Sequence, residues 1–367
     1  RREQEATAIG LILAKLPWPE GKAALDKLCD SPILFAMAAQ RNSRAAAGAA
    51  DYLLEPARFK AALERAGGEA LKEALQMLAG YGQGSFGVET FFENGVAQEA
   101  GSRWTLWGEN DKVKAITLAL AASTNAAWRA AAVYSLGQRA DAEQNGAIFE
   151  KAISDPNEWV RRAGAQALAR HSQDRAALES RLGPLLSDPN VEVAGVAAAL
   201  LLEPEIRQAA DLTGQLNYFE FEGSYGGRMD IGTTINVNNE RPLTTLEGKP
   251  AFLEQAAKRA AGAKGEEAAP FVVLLAQYGQ FDGLDRLLAQ SGAAKANEQN
   301  VLDDAILTGI ALSQDAKYLP ALRKMMAAQN NDYQLRKILQ AMQSMRGAEA
   351  RQMRLDINKK LRTANSP

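Results

Sequence analysis

Apolar positions along this chain recur with the period of a helix, and the helices recur with a longer period. Downstream of Ser154-Asp155-Pro156-Asn157, residues Val160, Ala163, Gly164, Ala167 and Leu168 fall at i, i+3, i+4, i+7 and i+8, which is one helix face. The tetrapeptide returns 33 residues later as Ser187-Asp188-Pro189-Asn190, followed by Val193, Val196, Ala197, Leu200 and Leu201 in the same template. The template also fits Trp128, Ala131, Ala132, Ser135 and Leu136, then Leu302, Ala305, Ile306, Gly309 and Ile310, and, again 33 residues on, Leu335, Ile338, Leu339 and Met342. Weaker copies begin at Ala45 and Phe271. Another apolar segment precedes the better copies (Ala147 to Ile153, Leu178 to Leu186, Tyr318 to Met326), so the predicted unit is a helix pair. Asp155 and Asp188, each followed by proline, are the predicted N-caps. A single pair buries only one side, so stability requires stacking on neighbours.

The stretch Asp155-Pro156-Asn157-Glu158-Trp159-Val160-Arg161-Arg162-Ala163-Gly164-Ala165-Gln166-Ala167-Leu168 resembles the HEAT-repeat family, in its short bacterial, phycobilisome-lyase-like form, whose pattern is D-x-x-x-x-V-R-x-x-A-x-x-A-L. Tyr318 to Met326 followed by Asp332 and Leu335-Arg336 looks like a further unit. The resemblance covers Lys112 to Leu202 and Ala269 to Met345. It implies an α-solenoid that binds another protein within a larger assembly. It also implies that Arg129, Arg161 and Arg336 form an arginine ladder bonded to the neighbouring unit. Two alternatives follow from the same likeness: an accessory subunit that binds a chromophore or its carrier protein, as bilin-lyase HEAT proteins do, and a HEAT-like nucleic-acid-binding protein.

The helical period stops between Asn217 and Pro250. Met229, Ile231, Thr233, Ile235 and Val237 alternate with polar or small residues, as do Tyr218, Phe219, Glu220, Phe221 and Glu222, with a glycine-rich turn between the two runs. The pattern predicts an inserted β-hairpin. Insertions in solenoids often form the binding face, which makes Tyr218, Phe219, Phe221, Tyr225 and Arg228 partner-binding candidates. A second irregular stretch, Gly80 to Asn110, concentrates aromatic residues among glycines and adds Trp104 and Trp107 to those candidates.

Composition narrows the chemistry. The chain has 42 basic and 44 acidic residues, a formal charge of -2, so no global field draws it to nucleic acid or an anionic membrane. No apolar run approaches the roughly 20 residues that span a bilayer. One histidine, His171, and one cysteine, Cys29, exclude an internal disulfide and a multi-histidine or multi-thiolate metal site. His171 reads as a helix-end residue, favoured there by the dipole. Tyr81 to Gly87 is rich in glycine but has no Walker lysine. Carboxylate pairs such as Asp303-Asp304 read as solvated charges on polar helix faces. The helix predicted from Arg346 to Arg362 is locally basic and reads as a solvated end cap. No cofactor and no catalytic residues are expected. The first residue is Arg1, read as the start of a trimmed or matured product, which leaves the compartment open between cytoplasm and export.

The expected architecture is therefore all-α, a HEAT-like superhelix of stacked helical hairpins with an inserted β-hairpin. The predicted blocks are N-terminal helical units over 1–111, including the aromatic and glycine-rich loop 80–110, regular repeats over 112–216, the insertion over 217–250, and C-terminal repeats with a terminal helix over 251–367. Trp128, Arg129, Asp155, Val160, Arg161, Asp188, Val193, Leu335 and Arg336 are the structural repeat positions, and the expected function is that of a non-catalytic protein-interaction scaffold.

Overall fold

Asparagine, not aspartate, starts the repeat helices. In the computed structural model, the Asn157 side chain accepts hydrogen bonds from the Trp159 and Val160 N–H groups, and Asn190 accepts from Glu192 and Val193. Asp155 and Asp188 sit two residues earlier, where each carboxylate accepts from the backbone N–H of its following asparagine. The expected Asp155 and Asp188 caps are thus displaced to Asn157 and Asn190. The physical reason is reach: the Asp-Pro turn places the asparagine oxygen, rather than the aspartate, over the open N–H groups of the first turn. Asn125 and Asp174 cap two further helices in the same way.

The structure describes residues 2–28, 30–39, 44–67, 70–71, 74, 111–139, 141–172, 174–210, 212, 243–291, 296–328, 332–343 and 345–364. They divide into two compact units, one ending at Ser172 and the other beginning at Asp174, so the division falls inside the block 112–216. The first contains α1 (Arg2–Leu13), α2 (Glu20–Leu28), α3 (Ser31–Ala39), α4 (Arg44–Leu53), α5 (Pro56–Arg65), α6 (Asp111–Ala121), α7 (Ala126–Gln138), α8 (Gly146–Ala152) and α9 (Glu158–His171). The second contains α10 (Arg175–Leu182), α11 (Val191–Leu200), α12 (Pro204–Ala209), α13 (Phe252–Gly262), α14 (Ala269–Gln277), α15 (Asp282–Ser291), α16 (Ala296–Ser313), α17 (Leu319–Ala328), α18 (Asp332–Ala341) and α19 (Ala348–Ala364).

In the first unit α6 packs on α7 and α8 on α9, and the second members of the two pairs, α7 and α9, stack on each other. Small residues let them approach: a Cβ on Gly137 would lie only 2.6 Å from that of Ala167. Val160 and Trp128 join an apolar core that runs from Ala6 to Leu168, with Val160 fully buried and Trp128 packed against its edge. In the second unit α14 is buried on every side and packs against α11, α13, α15 and α16. A helix apolar all round belongs in the middle of a core. Val193 and Leu335 are buried as well.

The expected inserted β-hairpin is a correction. Among the described residues every regular element is a helix and none is a strand, so the described fold is all-α and does not contain that element. Residues 213–242, which include Tyr218, Phe219, Phe221, Tyr225 and Arg228, lie outside the described residues, as does 75–110 with Trp104 and Trp107. The described end of the predicted insertion, 243–250, pairs with no strand. Its Leu246 N–H instead donates to the Gln277 carbonyl at 2.7 Å. The last carbonyls of a helix have no partner within it, so the C-terminus of α14 supplies an acceptor that does not require a second strand.

Candidate functional site

The two described flanks of the 213–242 segment meet the second unit at a pair of buried polar anchors. The first is Lys337 on α18. Its ammonium forms an ion pair with Asp304 of α16 at 2.5 Å and donates to the Ala209 carbonyl at the end of α12 at 3.3 Å. The Tyr333 ring lies 4.7 Å from the same nitrogen. The side chains of Lys337 and Asp304 are 9% and 3% exposed, so both charges have left water and compensate each other. Thr308 donates to the Asp304 carbonyl one turn earlier. Ala209 and Leu243, one from each flank, line a small cavity with Leu307, Thr308 and Lys337, and its volume of about 10 Å³ has room for a single water molecule.

The second anchor is Gln277, the last residue of α14, which is fully buried. Its side-chain oxygen accepts from the Glu203 N–H at 2.7 Å and its amide donates to the Leu201 carbonyl at 3.3 Å, while its own carbonyl receives Leu246. One residue therefore holds the chain on both sides of the segment. Around it Arg175 bonds Glu179 at 2.7 Å, Glu203 at 3.2 Å and the Tyr278 hydroxyl at 3.1 Å, and also donates to the Leu201 carbonyl. Tyr278 donates in turn to Glu179 at 3.0 Å. Burial works to lower the Arg175 pKa, but the bonds to Glu179 and Tyr278 outweigh it and the value is raised. Burial raises that of Tyr278. Arg207 caps α11 by donating to the carbonyls of Ala199, Leu200 and Leu202. Burial, followed by the nearby Arg175 charge, pushes its pKa down to about 10.

No family model matches this chain, and no curated protein or solved structure matches it.

Two of the arginines predicted as repeat positions, Arg129 and Arg161, bond the turns within the helix pairs. Arg129 makes a two-pronged contact with the Asp155 carboxylate, at 2.9 and 2.8 Å, and also bonds the Ser123 and Thr124 carbonyls. Arg161 donates to the Asp155 and Pro156 carbonyls, so it braces the turn of its own unit. The second Asp-Pro-Asn turn receives Arg259 of α13, which donates to the carbonyls of Leu186 and Asp188 from more than 70 residues away in sequence. Arg336 is exposed, and its neighbour Lys337 is the buried cation of α18.

Asp303 and Asp304 require a correction: both are buried, 6% and 2% exposed, rather than solvated. Sequence periodicity places them on the polar side of α16, but Lys337 comes from α18 to neutralise Asp304 there. A signal existed, since Asp304 and Lys337 are one repeat period apart. Gln277 and Tyr278 had no comparable signal, because their partners Leu201, Glu203, Arg175 and Glu179 lie on the far side of the 213–242 segment.

The remaining polar groups serve the helices. His171 ends α9, and its Nε2 donates to the Gly137 carbonyl at 2.7 Å. On the basic α19, Arg354 donates to the Met342 and Met345 carbonyls and Lys360 to that of Met326, so two of its cations face protein acceptors. Among the described residues no group of three His, Cys, Asp or Glu side chains could hold a metal ion, and no helix is long and apolar enough to cross a membrane.

Proposed function

We propose that this chain is a HEAT-type helical scaffold that binds a protein partner through the 213–242 segment and the surface around its anchored flanks. The observation that carries the reading is the double tether at Gln277, together with the Lys337–Asp304 pair at the base of the same segment. Buried polar anchors fix where a segment leaves and re-enters a helical body, and a fixed departure point lowers the entropy lost when that segment binds. Loops held on a rigid scaffold are the usual place for recognition. The cavity beneath has room for about one water molecule. The anchoring side chains are engaged with one another, which suits support rather than turnover.

The test is to replace 213–242 with a short Gly/Ser linker and compare quantitative affinity capture from the native source for the intact and deleted chains. Helicity by far-ultraviolet dichroism should stay nearly intact, and a specific partner should be lost. A partner retained at full yield would move recognition to the helical surfaces. The absence of any partner enriched over a mock capture would defeat the scaffold reading.

A further inference from the structure

Five of the chain's eight methionines fall between 325 and 353, on or beside its last three helices. Met342, Met345 and Met353 are at most 2% exposed, and Met37, in the first unit, is fully buried. Met325 and Met326, adjacent on α17, are half-buried. Among the described residues these two are therefore the thioethers that solvent reaches. Leu319, Leu322 and Met326 fall at i, i+3 and i+7 with both leucines buried, so Met326 continues the inward face of α17 to its edge. α17, α18 and α19 pack on one another, and α19 is seated on methionine backbone at three points. Lys360 donates to the Met326 carbonyl at 3.0 Å, and Arg354 donates to those of Met342 and Met345 at 2.8 and 2.9 Å. Met353 lies on the buried face of α19 with Ile357 and Leu361. Methionine suits such a seat because its flexible chain fills irregular gaps, and the same sulfur is what an oxidant attacks.

We propose that Met325 and Met326 form a peroxide-reactive modification site whose oxidation unseats α19. The thioether sulfur attacks the terminal oxygen of a hydroperoxide, so that a sulfur–oxygen bond forms as the oxygen–oxygen bond breaks. The sulfur is oxidised by two electrons to the sulfoxide, and the leaving oxygen takes the proton to become an alcohol or, from hydrogen peroxide, water. The product carries a polar oxygen at the edge of an apolar face, where burial is disfavoured, so α19 leaves α17 more often. Each departure bares Met353 and the Met342–Met345 corner, and their oxidation in turn opposes reseating. The half-buried pair is thus the first step and the buried three the second.

Graded hydrogen peroxide on the full chain tests it, read by peptide mapping for sulfoxide and by hydrogen exchange across α19. Met325 and Met326 should oxidise first, with Met342, Met345 and Met353 slower by about tenfold or more because they react only when α19 is open. As sulfoxide accumulates on α17, exchange in α19 should quicken and the buried three should follow, while Met37 lags. Met325→Leu combined with Met326→Leu keeps apolar volume, so the variant should fold by circular dichroism and should slow oxidation of the buried three by about tenfold. Oxidation of all five at one rate overturns the proposal. So do buried methionines that react equally fast in the leucine variant, or an α19 whose exchange peroxide leaves unchanged. Met37 oxidised in step with the buried three would trace their exposure to global unfolding and overturn it as well.

Discussion

Removing the Lys337 ammonium isolates the energetics of the anchor. In Lys337→Ala the Asp304 carboxylate, 3% exposed, keeps its burial and loses the cation 2.5 Å away. Breaking a buried pair from one side costs about 3–5 kcal/mol, and the Ala209 carbonyl loses a donor worth about 1 kcal/mol more. Asp304 can limit the damage by taking up a proton, at about 1.4 kcal/mol per unit of pKa shift, so the expected loss is about 4 kcal/mol. For a body of this size each kcal/mol lowers the melting point by about 2–4 °C, giving a drop on the order of 10 °C. Circular dichroism at 222 nm reads all the helices. Tryptophan fluorescence reads only the region up to Ser172, where all five tryptophans lie, so a shift confined to the dichroism places the damage in the second unit. Asp304→Leu combined with Lys337→Met should return most of the stability, because it removes both charges while keeping volume. A loss below about 1 kcal/mol in the single variant would show that neither charge is paying a burial cost, and an equally damaged double variant would trace the loss to packing.

Two further outcomes probe the first unit. Val160→Asp puts an unpaired carboxylate where the side chain is 1% exposed, and should unfold the α7–α9 stack; unchanged thermal melting would show that Val160 is not in the stacked core. At Asp155 burial acts to raise the pKa, but the Arg129 hydrogen bonds, the Asn157 N–H and the arginine charges prevail and hold it below 3.8. A depressed folded pKa contributes stability that is present above the unfolded value and lost as pH falls through the folded one. The advantage of the wild type over Asp155→Asn should therefore be full at pH 6 and shrink below about pH 4, and a difference independent of pH in denaturant titrations would contradict the ion pair.

The helices were legible because their evidence is local. Val160, Val193 and Leu335 are buried where the i, i+3, i+4 template puts them, and the Asp-Pro-Asn motif marks each turn even though the capping oxygen belongs to the asparagine. Alternation of side chains from Met229 to Asn238 was a weaker guide, since period two in sequence states which side chains would share a face and not whether a partner strand exists. The anchors were illegible for a different reason. Gln277 reads as the polar end of an apolar helix until Leu201 and Glu203 are brought against it by contacts that no local pattern encodes, and Lys337 reads as one more charge beside Arg336 unless the 33-residue spacing to Asp304 is noticed.

The tether at Gln277 also decides what a break in the chain would do. A protease that cuts once between 213 and 242 severs the covalent path from α12 to α13, yet the Glu203 and Leu201 contacts to Gln277, the Arg259 bonds to the Asp188 turn and the packing of α11 on α14 all cross the cut. The nicked protein should keep the second unit joined and migrate as two bands only after denaturation.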